Sequence, residues 1–404
     1  MDTAMKVVII GNGIAGVMVA AKLRQLEPEE RRVQIEIYSR EPYEYYSRIR
    51  LPEIFSSRLR AEDLEIYKPE WYARRRLHVY KNQEAVRLER EEKKVMLRNG
   101  TAVPYDKLVL CMGAEGFKPP VMNAHLEGVF TIREYGDADA IRRYMTEGTR
   151  HAVVVGGGLL GLEAARYLAI PRVEEVTVIE IFPRLLPKQL DDTGSRLLLR
   201  LLEGPKYSVI LGAAVAAFLG ERRVEGLRLV NGRKLPAETV LISAGIVPRT
   251  KLAKEAGLAV NRGVVVDERL CTSDEDIFAA GDLAEFQGIV WGIIPAALDH
   301  APVVAANLLG QGSVVYRQTI PQNTLKVAGI NLTSIGKVTF DKEDSQDYQI
   351  LQSLDEQQGR YEKYVLKEGL LVGSILLGSR DNYGFVMQSI GKPIIPAEIQ
   401  ARLW

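Results

Sequence analysis

The feature that most constrains this chain is a glycine-rich turn that occurs twice, each time directly after an apolar strand. The first copy follows residues 6–10 and reads Gly-Asn-Gly-Ile-Ala-Gly over residues 11–16, and the second follows residues 151–155 and reads Gly-Gly-Gly-Leu-Leu-Gly over residues 156–161. In this pattern the first glycine permits a tight turn, the second lets backbone approach a pyrophosphate, and the third packs helix on strand. One copy is a weak signal, but two copies predict two dinucleotide-binding domains.

The second strand of each repeat ends at the position that meets an adenosine ribose in Rossmann-type domains. In the second repeat this strand, residues 175–180, ends in Glu180. Its carboxylate suits both ribose hydroxyls and repels a 2′-phosphate, which favours NADH, while the nearby Arg184 keeps NADPH as a minor option. The expected contacts of the nicotinamide dinucleotide are Gly156, Gly158, Leu159, Leu160, Gly161, Glu163, Glu180, Ala244 and Gly245.

The first repeat departs from this fingerprint. Its second strand, residues 33–38, is followed by Ser39 and Arg40 instead of an acidic residue. A serine hydroxyl also bonds a ribose oxygen, so the departure weakens the signal without removing it. The alternative is a plain turn before Pro42.

A third segment, residues 272–282, ends in an apolar strand and a Gly-Asp turn. It resembles the final strand and turn of flavoproteins that bind two dinucleotides. Two further apolar strands that end in small residues, 108–114 and 240–248, suit crossings between two domains. We therefore predict an α/β fold with two Rossmann-type domains, one inserted in the other, plus a small α+β domain. The predicted ranges are 1–116 and 245–314 for an FAD domain, 117–244 for an NAD(P) domain and 315–404 for the C-terminal domain.

The order of these motifs resembles the pyridine nucleotide-disulfide oxidoreductase superfamily, in particular its NAD(P)H:rubredoxin oxidoreductase branch and the FAD domain of assimilatory nitrite reductase. The segments that carry the resemblance are 42–51, 69–72, 183–191, 281–286 and 325–330. The resemblance implies an enzyme that passes hydride from NADH to FAD and then electrons to a small iron–sulfur protein such as rubredoxin or ferredoxin.

The motifs and the resemblance together indicate the FAD contacts. Lys326 belongs to this set because it stands between apolar neighbours, where a lysine needs a partner, and because the resemblance implies a place near the flavin. No side chain is assigned as a general acid or base, since the flavin would carry the redox chemistry. The expected FAD contacts are Gly11, Gly13, Ile14, Ala15, Gly16, Ser39, Arg40, Arg48, Met112, Gly113, Ala114, Gly281, Asp282 and Lys326.

The electron acceptor is the most open part of the prediction. Disulfide reductases of the superfamily use a reactive cysteine near the flavin, whereas this chain has no cysteine before Cys111, so an external acceptor is expected. The run Arg74-Arg75-Arg76 would attract an acidic carrier, or it is simply a solvated surface. Two alternatives are an NADH oxidase that forms peroxide and an electron-input subunit of a larger complex such as nitrite reductase.

Composition excludes several other classes. The net charge of +1 gives no strong positive field, so no nucleic-acid partner is expected. Glycines interrupt the apolar run near the start, and no other stretch approaches the roughly 20 apolar residues of a membrane span. Two distant cysteines and four histidines without ligand spacing predict free thiols, no metal site and a cytoplasmic location. The oligomeric state is left open.

Overall fold

The computed structural model describes residues 4–57, 59–146, 148–327, 329–340 and 344–403. Two compact units are present. Unit 1 comprises Met1–Arg48, Leu59–Glu115 and Ile246–Thr319, and unit 2 comprises Ile49–Arg58, Gly116–Gly245 and Ile320–Trp404. Each unit is therefore assembled from segments that are distant in sequence.

The first half of the chain contains two similar series of elements. Up to residue 116 these are β1 (Met5–Ile10), α1 (Ile14–Leu26), β2 (Val33–Tyr38), a 3₁₀ helix (Arg48–Ser56), α2 (Ala61–Leu64), α3 (Pro69–Arg74), β3 (His78–Tyr80), β4 (Ala85–Glu89), β5 (Lys94–Leu97), β6 (Ala102–Pro104), β7 (Lys107–Leu110) and β8 (Ala114–Gly116). Up to residue 242 follow β9 (Val129–Thr131), α4 (Tyr135–Met145), β10 (His151–Val155), α5 (Leu159–Leu168), β11 (Glu175–Glu180), α6 (Asp192–Leu202), β12 (Tyr207–Leu211), β13 (Val215–Leu219), β14 (Gly226–Leu229), β15 (Lys234–Pro236) and β16 (Thr239–Ile242).

The second half returns to unit 1 and then completes unit 2. The elements up to residue 308 are β17 (Ile246–Pro248), α7 (Lys251–Glu255), β18 (Val264–Val266), β19 (Ile277–Ala279), β20 (Ala284–Phe286) and α8 (Ile294–Leu308). The last elements are β21 (Gln322–Val327), β22 (Ile330–Gly336), β23 (Gln349–Asp355), β24 (Arg360–Lys367), β25 (Leu370–Leu377), α9 (Tyr383–Ser389) and α10 (Pro396–Gln400).

Unit 1 is built on a five-stranded parallel sheet in the order β19-β7-β1-β2-β3. The central strand β1 is apolar from Val7 to Ile10, and these four residues are buried. Such a run is typical of a parallel strand that is covered on both faces. The helices α1 and α8 pack against each other in this unit.

Unit 2 contains a second parallel sheet with the same arrangement. Its order is β12-β11-β10-β16-β9, and the strand before the glycine turn, β10, is again central. Each unit also contains a three-stranded antiparallel sheet. In sequence, β4-β5-β6 comes directly before β7, and β13-β14-β15 comes directly before β16. The strands β7 and β16 hold equivalent places, because each pairs with the central strand of its parallel sheet. The repeat seen in the sequence therefore extends beyond the turns, and the two Rossmann-type folds predicted from it are confirmed.

The C-terminal part of unit 2 is a five-stranded antiparallel sheet in the order β21-β22-β25-β24-β23, with α9 and α10 beside it. This agrees with the predicted α+β character. The sequence of this part of the chain predicts strands at 325–330, 361–366 and 370–377. The last two match β24 and β25, but the first was wrong in its bounds, because β21 ends at Val327 and the chain turns at Gly329, with φ near +93°. No helix among the described residues is long and apolar enough to cross a bilayer.

A buried polar cluster connects α6 with the antiparallel sheet inside unit 2. The Oδ1 atom of Asp191 caps α6 by accepting from the amide of Gly194 at 3.0 Å. Its Oδ2 atom accepts from the hydroxyl of Tyr361 at 2.7 Å and from the ammonium of Lys363 at 2.8 Å. Burial opposes ionisation, but Lys363 and the other donors hold the pKa of Asp191 below its usual value.

The first prediction concerns this cluster. Replacing Asp191 with Ala removes the helix cap and leaves the buried ammonium of Lys363 without a counter-ion, so the free energy of unfolding should fall by about 3–5 kcal/mol. Asp192→Ala is the matched control, because that side chain is 70% exposed and forms only a surface ion pair with Arg184. Urea denaturation of the three proteins measures the difference.

The same comparison has a defined pH dependence. The pKa of Asp191 is lowered on folding, so its stabilisation is fully present above the unfolded value of about 4 and is lost as the pH falls through the folded pKa. The gap between wild type and Asp191→Ala should therefore narrow below about pH 4. A gap that is small at neutral pH, or equal to that of the control, would contradict the assignment.

Candidate functional site

The three glycines of the first turn have three different surroundings. Gly11 has φ of +116°, and a Cβ atom there would lie 2.3 Å from the carbonyl oxygen of Cys111. A Cβ on Gly16 would lie 2.0 Å from the carbonyl oxygen of Gly11. A Cβ on Gly13, in contrast, would meet no atom within 4 Å. The outer glycines are therefore needed for packing, while the middle glycine borders open space before the first residue of α1.

The second turn repeats this geometry. Gly156 has φ of +120°, and its Cβ would lie 2.3 Å from the carbonyl oxygen of Ser243. The Cβ of a residue at Gly161 would lie 2.1 Å from the carbonyl oxygen of Gly156, and one at Gly158 would again meet nothing within 4 Å. Each turn thus leaves an open cradle at a helix N-terminus, where backbone amides and the helix dipole favour a phosphate.

Asn12, between the first two glycines, is a residue that the sequence reasoning missed. It is 9% exposed, and its Oδ1 atom accepts from the hydroxyl of Tyr72 at 3.3 Å. Its Nδ2 atom is buried and has no hydrogen-bond partner within the described part of the chain. A buried donor without an acceptor is unfavourable, and a ligand oxygen in the cradle would remove that cost. Its only sequence signal is a polar side chain between two turn glycines.

The Gly281-Asp282 turn lies against the same cradle in unit 1. Gly281 has φ of +72°, and a Cβ there would lie 2.8 Å from the Cβ of Ala15, near the start of α1. Asp282 is half-buried. The structure thus brings Gly281 to Ala15, which is more than 260 positions earlier in the sequence.

His300, on α8, holds this turn in place. Its Nδ1 atom accepts from the amide of Gly281 at 3.1 Å, so the proton of the neutral ring is on Nε2. The side chain is 1% exposed, and burial lowers its pKa to about 4, so the ring is neutral at pH 7. His300 therefore has a structural role, which is to fix the backbone of the Gly281-Asp282 turn.

Most of the remaining predicted FAD contacts of unit 1 directly follow the carboxyl ends of its parallel strands, and Arg48 begins the 3₁₀ helix. Ser39 is buried after β2, and its amide donates to the carbonyl of Tyr80 at 2.9 Å. Arg40 is exposed, while Arg48 pairs with Glu41 at 2.7 Å. Met112, Gly113 and Ala114 follow β7, and Ile14 is half-buried at the start of α1. In a parallel sheet this edge is the ligand-binding edge.

Glu180 occupies the end of β11 and is 6% exposed. Its Oε2 atom accepts from the amide of Gly157 at 2.6 Å, and its Oε1 atom accepts from the amide of Phe182 at 2.9 Å. Each oxygen retains a second lone pair for a ribose hydroxyl. Arg184, because of which NADPH is a minor option in the sequence analysis, donates to the carboxylate of Asp192 at 2.7 Å.

Other predicted contacts of the nicotinamide dinucleotide are grouped around the second turn in unit 2. Leu159, Leu160 and Glu163 lie on the first turns of α5 and are half-buried, while Ala244 and Gly245 are exposed directly after Ser243, whose carbonyl touches Gly156. The side chain of Lys326 lies outside the described residues, so its predicted role near the flavin stays a prediction.

Cys111 is buried beside the first glycine turn, and burial raises the pKa of its thiol to about 12. A thiol that does not ionise is a poor nucleophile or redox group. Its carbonyl, rather than its sulfur, takes part in the site through the contact with Gly11.

Comparison with known proteins identifies the family. The sequence profile of the pyridine nucleotide-disulphide oxidoreductase family matches residues 5–306. The chain belongs to this family. The profile of the rubredoxin NAD+ reductase C-terminal domain matches residues 321–390 of the same oxidoreductase.

Individual relatives of this oxidoreductase fall into two groups. It is 33% identical to a nitrite reductase [NAD(P)H] of Bacillus subtilis, over 92% of this chain but 45% of the relative. It is 32% identical to a rubredoxin-NAD(+) reductase of Ectopseudomonas oleovorans, over 84% of this chain and 88% of the relative. The chain thus spans about half the length of its nitrite reductase relatives. A ferredoxin reductase structure from Rhodopseudomonas palustris superimposes with a TM-score of 0.85 at 26% identity, covering 97% and 96% of the two chains.

The geometry of the turns generates the second prediction. Gly13 and Gly158 have φ of −87° and −79°, which alanine adopts freely, and their Cβ positions are open. Gly13→Ala should therefore fold normally but purify with little FAD. Gly158→Ala should keep FAD and raise the KM for the nicotinamide dinucleotide, because the methyl group would occupy the space of the pyrophosphate.

Gly16→Ala is the contrasting control for Gly13→Ala. Its methyl group would overlap the carbonyl of Gly11, so this variant should lose thermal stability as well as FAD. Absorbance at 450 nm, melting temperature and steady-state kinetics distinguish the three variants. Full FAD content in Gly13→Ala would show that the pyrophosphate does not occupy this cradle.

Proposed function

We propose that this chain is an FAD-dependent NAD(P)H oxidoreductase that delivers electrons to a small iron–sulfur protein. The observation that carries the proposal is the pair of glycine turns, each with closely packed outer glycines and an open middle glycine, in a member of this family. Two cradles in one chain suit two dinucleotides. The predicted division into an FAD domain and an inserted NAD(P) domain is part of this proposal.

In this function the residues of unit 1 hold FAD and those around the second turn hold the nicotinamide dinucleotide. The amides of the 11–16 turn and of Gly281-Asp282 would face the pyrophosphate of FAD, with His300 fixing Gly281. When bound, FAD would supply the redox chemistry, which is to accept a hydride from NAD(P)H and pass the electrons on to the acceptor. The chain contributes orientation and electrostatics, and Cys111 takes no part because its thiol stays protonated.

NADH is the preferred donor in this proposal. Glu180 places a buried carboxylate at the end of β11, where a 2′-phosphate would be repelled. The two following residues, Ile181 and Phe182, are exposed and apolar, so neither supplies a positive charge. Arg184 is already engaged by Asp192.

The third prediction tests the donor preference through Glu180→Gln. The amide removes the charge and keeps one of the two acceptor oxygens, so kcat/KM for NADH should fall about tenfold or more relative to kcat/KM for NADPH. The ratio of the two specificity constants is the measurement. A wild-type enzyme that prefers NADPH would contradict this part of the proposal without affecting the rest.

The acceptor is inferred from two observations. The sequence contains no cysteine before Cys111, so the chain lacks the dithiol that a disulfide reductase places near its flavin. The C-terminal match is to a domain of rubredoxin reductases, and a rubredoxin-NAD(+) reductase aligns over 88% of its own length. A rubredoxin or ferredoxin is therefore the acceptor class that we propose.

The fourth prediction concerns this acceptor. The purified protein should contain FAD rather than FMN, since a pyrophosphate is what the first turn accommodates. It should be reduced by NADH without oxygen and then be reoxidised by rubredoxin or ferredoxin faster than by oxygen. Stopped-flow spectroscopy of both half-reactions provides the rates. Denaturation of the purified protein identifies the cofactor, and release of FMN instead of FAD would contradict the first part of the prediction. Stoichiometric peroxide formation at a rate matching that of the iron–sulfur carriers would favour an NADH oxidase instead.

A second candidate is an electron-input part of a larger nitrite reductase, because the chain spans about half the length of those relatives. Under this alternative the isolated chain would reduce dyes with NADH but would reduce rubredoxin and ferredoxin slowly. The same stopped-flow comparison therefore separates the two candidates.

A further inference from the structure

Unit 1 contains a pocket of about 720 Å³ between the second half of α1 and the helix α3. Its eleven lining residues contain no Asp or Glu, although the net charge of the whole chain is only +1. The pocket is therefore a local concentration of positive charge. Its cationic lining residues are Lys22, Arg24, Arg74, Arg75 and Arg76.

Arg24 forms the base of this basic pocket and fixes its shape. The side chain is buried, and its guanidinium donates to the carbonyl of Val33 at 2.9 Å, of Arg75 at 3.1 Å and of Arg76 at 3.3 Å. A buried cation thus holds the backbone of the arginine segment. The charged side chains above it are carried on a backbone that is already ordered before any ligand arrives.

Arg76 occupies a position that normally favours glycine. The amide of Arg76 donates to the carbonyl of Ala73, and that of Leu77 donates to the carbonyl of Tyr72, which is the Schellman pattern at the end of α3. Arg76 has φ of +50°, in the left-handed region. An arginine in this conformation is less favourable for the backbone than a glycine would be.

The pocket cations keep most of their donors. Arg74, Arg75 and Arg76 each donate one hydrogen bond to a carbonyl, those of Glu70, Trp71 and Pro28 respectively. A guanidinium has five N–H groups, so several remain on each. Among the described residues, no carboxylate oxygen forms an ion pair with Lys22 or with these three arginines, and the nearby Glu30 is engaged by His78 at 2.6 Å.

The indole ring of Trp71 in the pocket wall does not offer a free stacking surface. The ring of Trp71 stacks on Tyr67 with centroids 4.0 Å apart, and the guanidinium of Arg75 lies 4.1 Å from the centre of the same ring. Two groups that close to one centre cannot share a face, so both faces are covered. A ligand would be recognised by its charge and not by a planar base.

The end of the pocket formed by Arg24 lies away from the dinucleotide cradle of the same sheet. Arg24 bonds the first residue of β2, Val33, which pairs with Met5 at the amino end of β1, whereas the turn at Gly11 follows the carboxyl end. The two ends are roughly 16 Å apart at about 3.3 Å per residue. Docking of an electron carrier at the arginine run, which is one interpretation of the sequence, stays a separate prediction that the test below distinguishes.

We propose that the basic pocket binds a small phosphate anion with two or more negative charges, such as a pyrophosphate or the polyphosphate group of a nucleotide. Guanidinium forks match phosphate oxygens in geometry and charge, and the volume lies within the usual range of ligand sites. The site binds the phosphates and leaves an attached base unrecognised.

The test uses isothermal titration calorimetry of the FAD-loaded protein saturated with NAD+, so that both dinucleotide cradles are filled. At low ionic strength, inorganic pyrophosphate and ADP should bind with similar affinity, and adenosine should not bind. The double variant Arg75→Gln/Arg76→Gln should bind pyrophosphate at least about a hundredfold more weakly, about tenfold for each arginine. The double variant Arg31→Gln/Arg32→Gln removes two exposed arginines outside the pocket and should bind like wild type.

A second variant separates ligand binding from folding. Arg76→Gly removes the guanidinium but relieves the left-handed backbone, so its melting temperature should be unchanged or higher while pyrophosphate binding weakens about tenfold. No binding by wild type, or equal binding by both double variants, overturns the proposal. Slower rubredoxin reduction without any pyrophosphate binding would also overturn it, and would show a protein-docking surface.

Discussion

The structure depends on two contacts, repeated in each parallel sheet, in which a carbonyl oxygen occupies the space where a side chain would begin. At the first glycine of each turn this oxygen belongs to the residue directly after the neighbouring strand, Cys111 after β7 or Ser243 after β16. At the third glycine it belongs to the first glycine of the same turn. These approaches bring strand, turn and helix together so closely that no Cβ is accommodated. Between the two packed glycines, the middle glycine of each turn, Gly13 or Gly158, faces open space.

In the function that we propose, the same construction serves two different ligands because the elements around it differ. In unit 1 the turn is met by Gly281, which His300 fixes from α8, and by Asn12 with its free amide group. In unit 2 the corresponding region offers Glu180 at the end of β11 and the exposed Ala244 and Gly245. A repeated scaffold thus acquires specificity through a few polar side chains at the carboxyl ends of its strands.

Much of the fold was predictable because glycine spacing and strand hydrophobicity are local signals. The family and the two Rossmann-type folds are confirmed. Interactions between distant residues were not predictable. Asp191 and Lys363 are 172 positions apart, and no local pattern in either segment predicts their contact. The role of Asn12 likewise depends on a buried donor without a partner, and that of His300 depends on its bond to the amide of Gly281. The bounds of β21 depend on a hairpin turn within a run of mostly apolar residues, where the sequence pattern does not separate strand from turn.

The discontinuity of both units has a consequence for how the protein is made. The sheet of unit 1 is complete only when β19, which begins at residue 277, pairs with β7, which ends at residue 110. At elongation rates of about 5–20 residues per second, β7 waits on the order of ten to thirty seconds for its partner. Unit 2 has a similar delay, since Lys363, which is 172 positions later, must emerge before Asp191 gains its counter-ion. During that interval a largely apolar strand edge is exposed on the ribosome, so the yield of folded protein should depend on chaperone supply more than on the stability of the finished fold.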